Sequence, residues 1–433
     1  MPICLSFMTP REVPVRHGLL IICAIAATAC AGEGRSGGAA SWQAVVDTVA
    51  DTITVRTTAG AVWGDTTTLV EEVRIGTMDG ADEYIIGDPR SIAVGNEGRI
   101  YLFDRQVPIV RAYSSDGAHL FDAGRQGGGP GEYERPDAMA VLPDGRIIMR
   151  DPGAMRIAVF SPEGEFLENW NREKSGGFNT SRRHYVDHAG YSYPMVLLNR
   201  GTAPWDWKYG LVPISPEGEE QDTLAVPTWD YEAPQLTAGR EGSSSSRSVP
   251  FAARRQWTFS PMGYFVGGLS TDYRIDLFRV GAPVLRIERE WTPVPVLDEE
   301  DEERRTRIRQ GMQQQYGSWR WNGPPIPDTK PPFRDIVADF DGRIWVLVSQ
   351  LGRPTMTEQE AREEEQRSGR RPLRFEEPFG YDVFDAEGRF LGHVRMPDTF
   401  RDEPELLARG DTVWAVVRDE LDVPSIVRFR MVR

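Results

Sequence analysis

Cysteine is nearly absent from this chain. Its three copies, Cys4, Cys23 and Cys30, all precede the body, so the folded part has no thiol for a disulfide, a metal or a nucleophile. Basic charge is in deficit too: 65 acidic residues face 50 basic ones, for a net charge of −15. A nucleic-acid binder needs a concentrated basic surface to neutralise phosphates, and that class is excluded. Long hydrophobic runs are missing, since the apolar stretch at residues 18–29 is too short to span a bilayer comfortably. The glycine loop Gly127-Gly-Gly-Pro-Gly131 lacks the Lys-Ser/Thr of a phosphate-binding loop, and no G-x-S-x-G elbow occurs, which leaves phosphoryl and acyl transfer unsupported.

What the N-terminus does carry is an export signal. Arg11, Arg16 and His17 precede the short apolar core, and Ala27-Thr28-Ala29 satisfies the small-x-small rule of signal cleavage. The run ending in Cys30 resembles the lipobox of bacterial lipoproteins, with Ala27 where that family usually has Leu. The resemblance implies lipidation of Cys30, a membrane anchor, and a location in the bacterial periplasm or at the cell surface. Residues 1–30 are thus expected to be a lipoprotein-type signal peptide. Residues 31–65, opening with a run of small residues, are expected to be a flexible tether and N-terminal segment.

The body, residues 66–433, repeats itself. Asn96-Glu-Gly-Arg-Ile-Tyr101 recurs as Pro143-Asp-Gly-Arg-Ile-Ile148 at an offset of 47, and Ser115-Asp-Gly117 recurs as Pro162-Glu-Gly164 at the same offset (143 − 96 and 162 − 115). A third copy, Phe340-Asp-Gly-Arg-Ile-Trp345, is completed after an insertion at Gly388, and weaker copies bring the count to six. Each unit reads as four short strands separated by Asp-Gly and Glu-Gly turns, an antiparallel meander that is unstable alone and must pack against its neighbours. The expectation is an all-β, six-bladed β-propeller of four-stranded antiparallel blades with two helical loop insertions. The last unit supplies only three strands, so residues 68–75 are expected to complete it and close the ring.

Gly124-Arg-Gln-Gly-Gly-Gly-Pro-Gly-Glu-Tyr133, Arg135-Pro136 and Asp151…Arg156-Ile-Ala-Val-Phe160 resemble the NHL-type repeat over residues 78–170, and again from Arg334. That resemblance implies a six-bladed propeller. It implies no single activity, since such propellers include lactonases, lyases, dehydrogenases and binding platforms.

Strand parity separates the two ends of the ring. First-to-second and third-to-fourth turns share one end, where the tight turns at Gly98, Gly117, Gly145, Gly164, Gly342 and Gly388 fall. All the long segments, residues 124–135, 171–183, 199–209, 228–256, 292–333 and 350–380, fall at the other, which is the candidate binding face. The candidate ligand-binding residues there are Asp104, Arg125, Asp151, Arg182, Trp205 and Trp207. Asp104 and Asp151 occupy equivalent positions six residues after Gly98 and Gly145, where repetition also fits a structural turn role. Arg183 and the aromatic residues Trp229, Tyr231, Tyr316, Trp319 and Trp321 share these loops, and rings there can stack on a ligand or pack the loops themselves.

His184 and His188 flank Asp187 at a spacing that could suit a metal, but no third ligand is identifiable. Residues 298–309 read as a solvated helix with Glu300–Arg304 and Glu303–Arg307 pairs, and Thr357-Glu-Gln-Glu360 reads as a capping box opening a second helix. With no convergent catalytic set, the favoured function is a non-catalytic scaffold binding a small polar or sugar-like ligand or a protein partner. The alternative is an extracytoplasmic enzyme acting at the propeller axis. No cofactor is identifiable, and a divalent cation such as calcium stays open.

Overall fold

The computed structural model describes residues 41–64, 67–171, 183–199, 207–240 and 243–433. Cys30, Arg182 and Trp205 lie outside these. Six antiparallel sheets follow one another around an axis as the blades of a propeller. The second blade shows why the sequence folds so. Its strands Ala138–Val141, Ile147–Asp151, Arg156–Phe160 and Phe166–Asn171 pair in order, and the second is buried at every residue because each of its faces meets a neighbouring blade. Only the outermost strand alternates with exposed positions. Such two-faced burial needs apolar residues on consecutive positions, and Ile147-Ile148-Met149 supplies them.

Six apolar cores result, one per blade interface. Met139, Met149 and Ala158 meet Phe103 and Val110 between the first and second blades, while Ile75, Ile92, Leu102 and Trp414 meet between the last and the first. Tight turns lock neighbouring blades together. Gly164 holds φ +87°, and a Cβ there would stand 2.5 Å from the Phe121 ring of the preceding blade. The next blade repeats the device with Gly218 against Trp170.

Closure occurs as the strand count requires. Thr68–Ile75 pairs antiparallel with Pro424–Val432 and becomes the outer strand of the sixth blade, so the ring has no open seam. Two features depart from regular four-stranded blades. Within residues 31–65, Gln43–Val49 and Thr52–Ala59 form a hairpin that joins the fourth blade by parallel pairing of Thr52–Ala59 with Val284–Arg289. The third blade is broken up: Pro194 and Pro213 have no N–H to give a ladder, and short pairs such as Tyr185–Val186 with Ser192–Tyr193 replace full strands.

Both helices sit in long-loop segments. Helix α1, Asp298–Tyr316, extends past the expected end at 309, and although Asp298, Glu299 and Glu302 are exposed as a solvated helix requires, two of its acids are not. Glu300 and Glu303 are buried, Glu300 bonding Lys330 at 2.8 Å and Glu303 pairing with Arg374, because neighbouring long loops cover this side of the helix. The expected i,i+4 pairs give way to these tertiary ones. Helix α2, Glu358–Ser368, starts at its capping box, with Glu360 N–H donating to Thr357 Oγ1 at 3.2 Å. Trp319 packs with Leu236, Val249 and Met312 in a satellite core that Tyr316 and Trp321 flank, so these rings serve the loops themselves.

Candidate functional site

The innermost strands of the blades surround an axial cavity of about 490 Å³. Its composition changes along its length. These strands start at the long-loop end and run toward the tight-turn end, so Val94, Val141, Val186 and Ala338 line the deeper part with mostly apolar surface, where the one carboxylate, Asp339, is held by the Arg343 N–H at 2.8 Å and the Trp345 indole N–H at 2.9 Å. Arg90, Arg183, His184, Asp335 and Asp402 line the part nearest the long loops.

Local interruptions of the sheet put these charges there. Arg90 is the extra residue of a register shift between Pro89 and Ser91, and Arg334 is the extra residue between Phe333 and Asp335. A bulge re-aims the side chains beside it, and here it brings polar groups onto an otherwise apolar wall. In the sixth blade the inner edge is split. Phe400–Arg401 and Leu407–Arg409 both pair with Thr412–Arg418, while the residues between them leave the ladder and bring Asp402, Glu403 and Glu405 to the cavity.

Arg183 is the hub of the mouth. It donates to Asp335 at 2.7 and 3.0 Å and to the Trp257 carbonyl at 3.1 Å, and it pairs with Glu405, thereby joining four blades. Burial opposes its charge, but Asp335 and its other partners outweigh that cost and raise its pKa, so the guanidinium stays protonated. Arg150 supports it from behind, donating to Asp137 at 2.6 Å and to the Arg183 carbonyl at 3.2 Å. Burial raises the pKa of Asp137 despite that partner.

His184 is placed differently. Both its ring nitrogens are buried without a hydrogen-bond partner among the described residues, and burial, reinforced by the Arg150 charge, holds its pKa well below the usual imidazole value. His188 lies apart from it in an exposed turn, and no group of three or more His, Cys, Asp or Glu residues among those described could hold a metal ion. Asp335 and Glu405, two carboxylates at the mouth, are both engaged by Arg183.

The residues singled out by sequence occupy other places. Asp104 is fully buried and accepts N–H bonds from Gly87, Asp88 and Gln106 at 2.8 to 3.0 Å, beside a second hollow of about 290 Å³ between the first and last blades. Asp151 repeats this one blade on, accepting from Glu134, Arg135 and Gly153 at 2.8 to 3.2 Å. Both carboxylates staple an inter-blade loop. Arg125 is exposed and pairs with Glu132 at 2.7 Å, and Trp207 is half-buried beside the strand Lys208–Leu211. None of these four lines the axial cavity.

A sequence signal for the cavity mouth does exist. Charged residues recur seven or eight positions before the first turn glycine of a unit: Arg90 before Gly98, Arg183 before Gly190 and Asp335 before Gly342 line the mouth, and Asp137 before Gly145 bonds Arg150 behind it.

The fold and this cavity define the chain as a six-bladed β-propeller with a ligand-sized axial site. No protein-family model and no curated protein sequence matches it. Solved structures similar to it include a DUF4221-family member from Bacteroides vulgatus, at 9% identity over 85% of this chain and 99% of that one, with a TM-score of 0.49. Virginiamycin B lyase from Staphylococcus aureus is similar at 11% identity over 85% and 100%, with a TM-score of 0.40. A gluconolactonase from Xanthomonas campestris is similar at 13% identity over 79% and 86%, with a TM-score of 0.38.

Proposed function

We propose that this protein is an exported, membrane-tethered propeller that binds a small amphipathic molecule in its axial cavity without transforming it. The observation that carries the reading is the polarity gradient of the cavity. Sheet interruptions collect charge at the end where every long segment emerges, and apolar side chains continue below it. A ligand entering from the long-loop face would bury its apolar part and keep its polar end at the mouth. Non-catalytic binding fits the state of the charged groups: Arg183 is saturated by partners, and the His184 nitrogens are enclosed. Export and tethering rest on residues 1–30, and no helix among the described residues is long and apolar enough to cross a membrane.

The test is differential retention. Purified protein and its Ala338→Trp variant, which places an indole in the cavity, are incubated with a small-molecule extract of the extracytoplasmic compartment and compared by native mass spectrometry. A species retained by the wild type and lost in the variant supports the reading. Equal retention by both refutes it.

A further inference from the structure

Resting on the axial cavity as a binding site, we propose that its ligand is an uncharged amphiphile, with a hydroxyl or amide head at the mouth and an aliphatic or aromatic body in the apolar depth. The way charge is paired at the mouth selects this class. Arg183 stands at the start of the third blade and Glu405 at the inner edge of the sixth, opposite it in a ring of six, so their ion pair runs across the mouth. Asp335 of the fifth blade accepts from the same guanidinium at 2.7 and 3.0 Å. Arg90 has Asp88 at 4.0 Å, and its charge also acts on Asp137. Burial raises the pKa of Asp402, but the charges of Arg334 and Arg401 both favour its ionised form, and Glu403 is not free either. His184 is kept neutral by burial and the Arg150 charge, and Asp339, deeper in the cavity, has the Arg343 Nε at 3.0 Å.

The lining thus offers a ligand no spare charge of either sign. A charged head group would give up its water and meet only groups that are already paired, which costs far more than desolvating a neutral one. A carboxylate would have to take Arg183 from two carboxylates and the Trp257 carbonyl, and an ammonium would have to take one of those carboxylates from Arg183. A hydroxyl or amide avoids both losses, because an ionised carboxylate has more lone pairs than one guanidinium uses and can accept a further hydrogen bond without any change in charge balance. The body of the ligand determines the rest: Val94, Val141, Val186 and Ala338 offer apolar contact and few hydrogen-bonding groups, so a polyhydroxylated sugar would have hydroxyls left unsatisfied there.

Calorimetry at pH 8 with n-octanol, n-octanoate and n-octylammonium separates head-group charge from hydrocarbon, because the three share one chain length. Octanol should bind at least tenfold tighter than either ion. Glu405→Gln and, separately, Asp335→Asn each leave Arg183 with one of its two carboxylates, so in both variants octanoate should gain at least tenfold relative to octanol and octylammonium should not. Ala338→Trp should weaken octanol binding. If either ion matches octanol in the wild type while Ala338→Trp still abolishes binding, the cavity remains a binding site and the uncharged assignment falls. No relative gain for octanoate in variants with wild-type circular dichroism also overturns the assignment. Should no probe bind, or should Ala338→Trp change nothing, the cavity reading falls with it.

Discussion

His184 makes stability depend on pH in a calculable way. In the unfolded chain an imidazole titrates near pH 6.5, whereas burial and the Arg150 charge hold the folded His184 well below that. The unfolded state therefore binds a proton that the folded state does not, and the resulting stability is full above pH 6.5 and lost as pH falls below it. One unit below, at pH 5.5, the loss is about 1.4 kcal/mol. Other buried groups act in the opposite direction: burial pushes Asp339 up to about 6 and also raises Asp137 and Asp402, so these take up protons in the folded state first and add stability as pH falls. A wild-type curve would mix the two signs. The difference between wild type and His184→Leu isolates the imidazole, because the carboxylates are common to both. Denaturant unfolding at pH 7.5, 6.5 and 5.5 should show the variant gaining about 1.4 kcal/mol on the wild type across that range. It should be no less stable at pH 7.5, since the two unpartnered ring nitrogens go with the substitution. Parallel curves would mean that the folded imidazole titrates normally, and the enclosed position assigned to it would be refuted.

Asp151→Ala should cost roughly 3 kcal/mol or more in chemical denaturation, because three N–H groups lose a buried carboxylate acceptor; a stable variant with weakened ligand binding would contradict the staple role. Gly164→Ala should lower stability by about 1–3 kcal/mol through its positive φ and the approach to Phe121, while leaving retention in the native mass-spectrometry comparison unchanged. With Cys30 lipidated, the wild type should partition into membrane or detergent phases and Cys30→Ser should accumulate unprocessed; recovery of mature wild type wholly in the soluble fraction would remove the anchor.

The blades were legible from sequence because their tight turns demand a particular residue. Gly98, Gly145 and Gly342 all adopt positive φ, and an Asp-Gly or Glu-Gly pair marks such a turn wherever it stands. Ring closure was legible from the strand count of the last unit, which is one short. The cavity mouth left only a faint trace, the charges recurring seven or eight positions before turn glycines, because register shifts create it: Arg90 and Arg334 are extra residues in their strands, and alternation along a sequence does not reveal where a strand gains one. Its members also come from four blades and meet only once the ring is closed. The hairpin Gln43–Ala59 was hidden for a similar reason, since its partner Val284–Arg289 lies far along the chain and joins it in parallel.

The carboxylates at the ends of second strands explain why the mouth can vary while the ring stays regular. Asp104 and Asp151 turn inward to hold the backbone of the preceding loop, which fixes where each following inner strand begins. The fifth blade has no such staple, for Val348 stands six residues after Gly342, where an aspartate would be. It has Lys330 instead. That buried ammonium bonds Glu300 at 2.8 Å and the Gln350 carbonyl at 3.1 Å, lies 3.5 Å from Glu377, and so ties helix α1 to both ends of the long insertion that carries helix α2. The inner strand that starts three residues later, Phe333–Ala338, carries Asp335 to the mouth. Lys330 thus anchors the largest insertions and the cavity wall together. Breaking its ion pair would leave a buried charge uncompensated and shift the carboxylate that holds Arg183, whereas loss of an Asp104-type staple would loosen only one inter-blade loop.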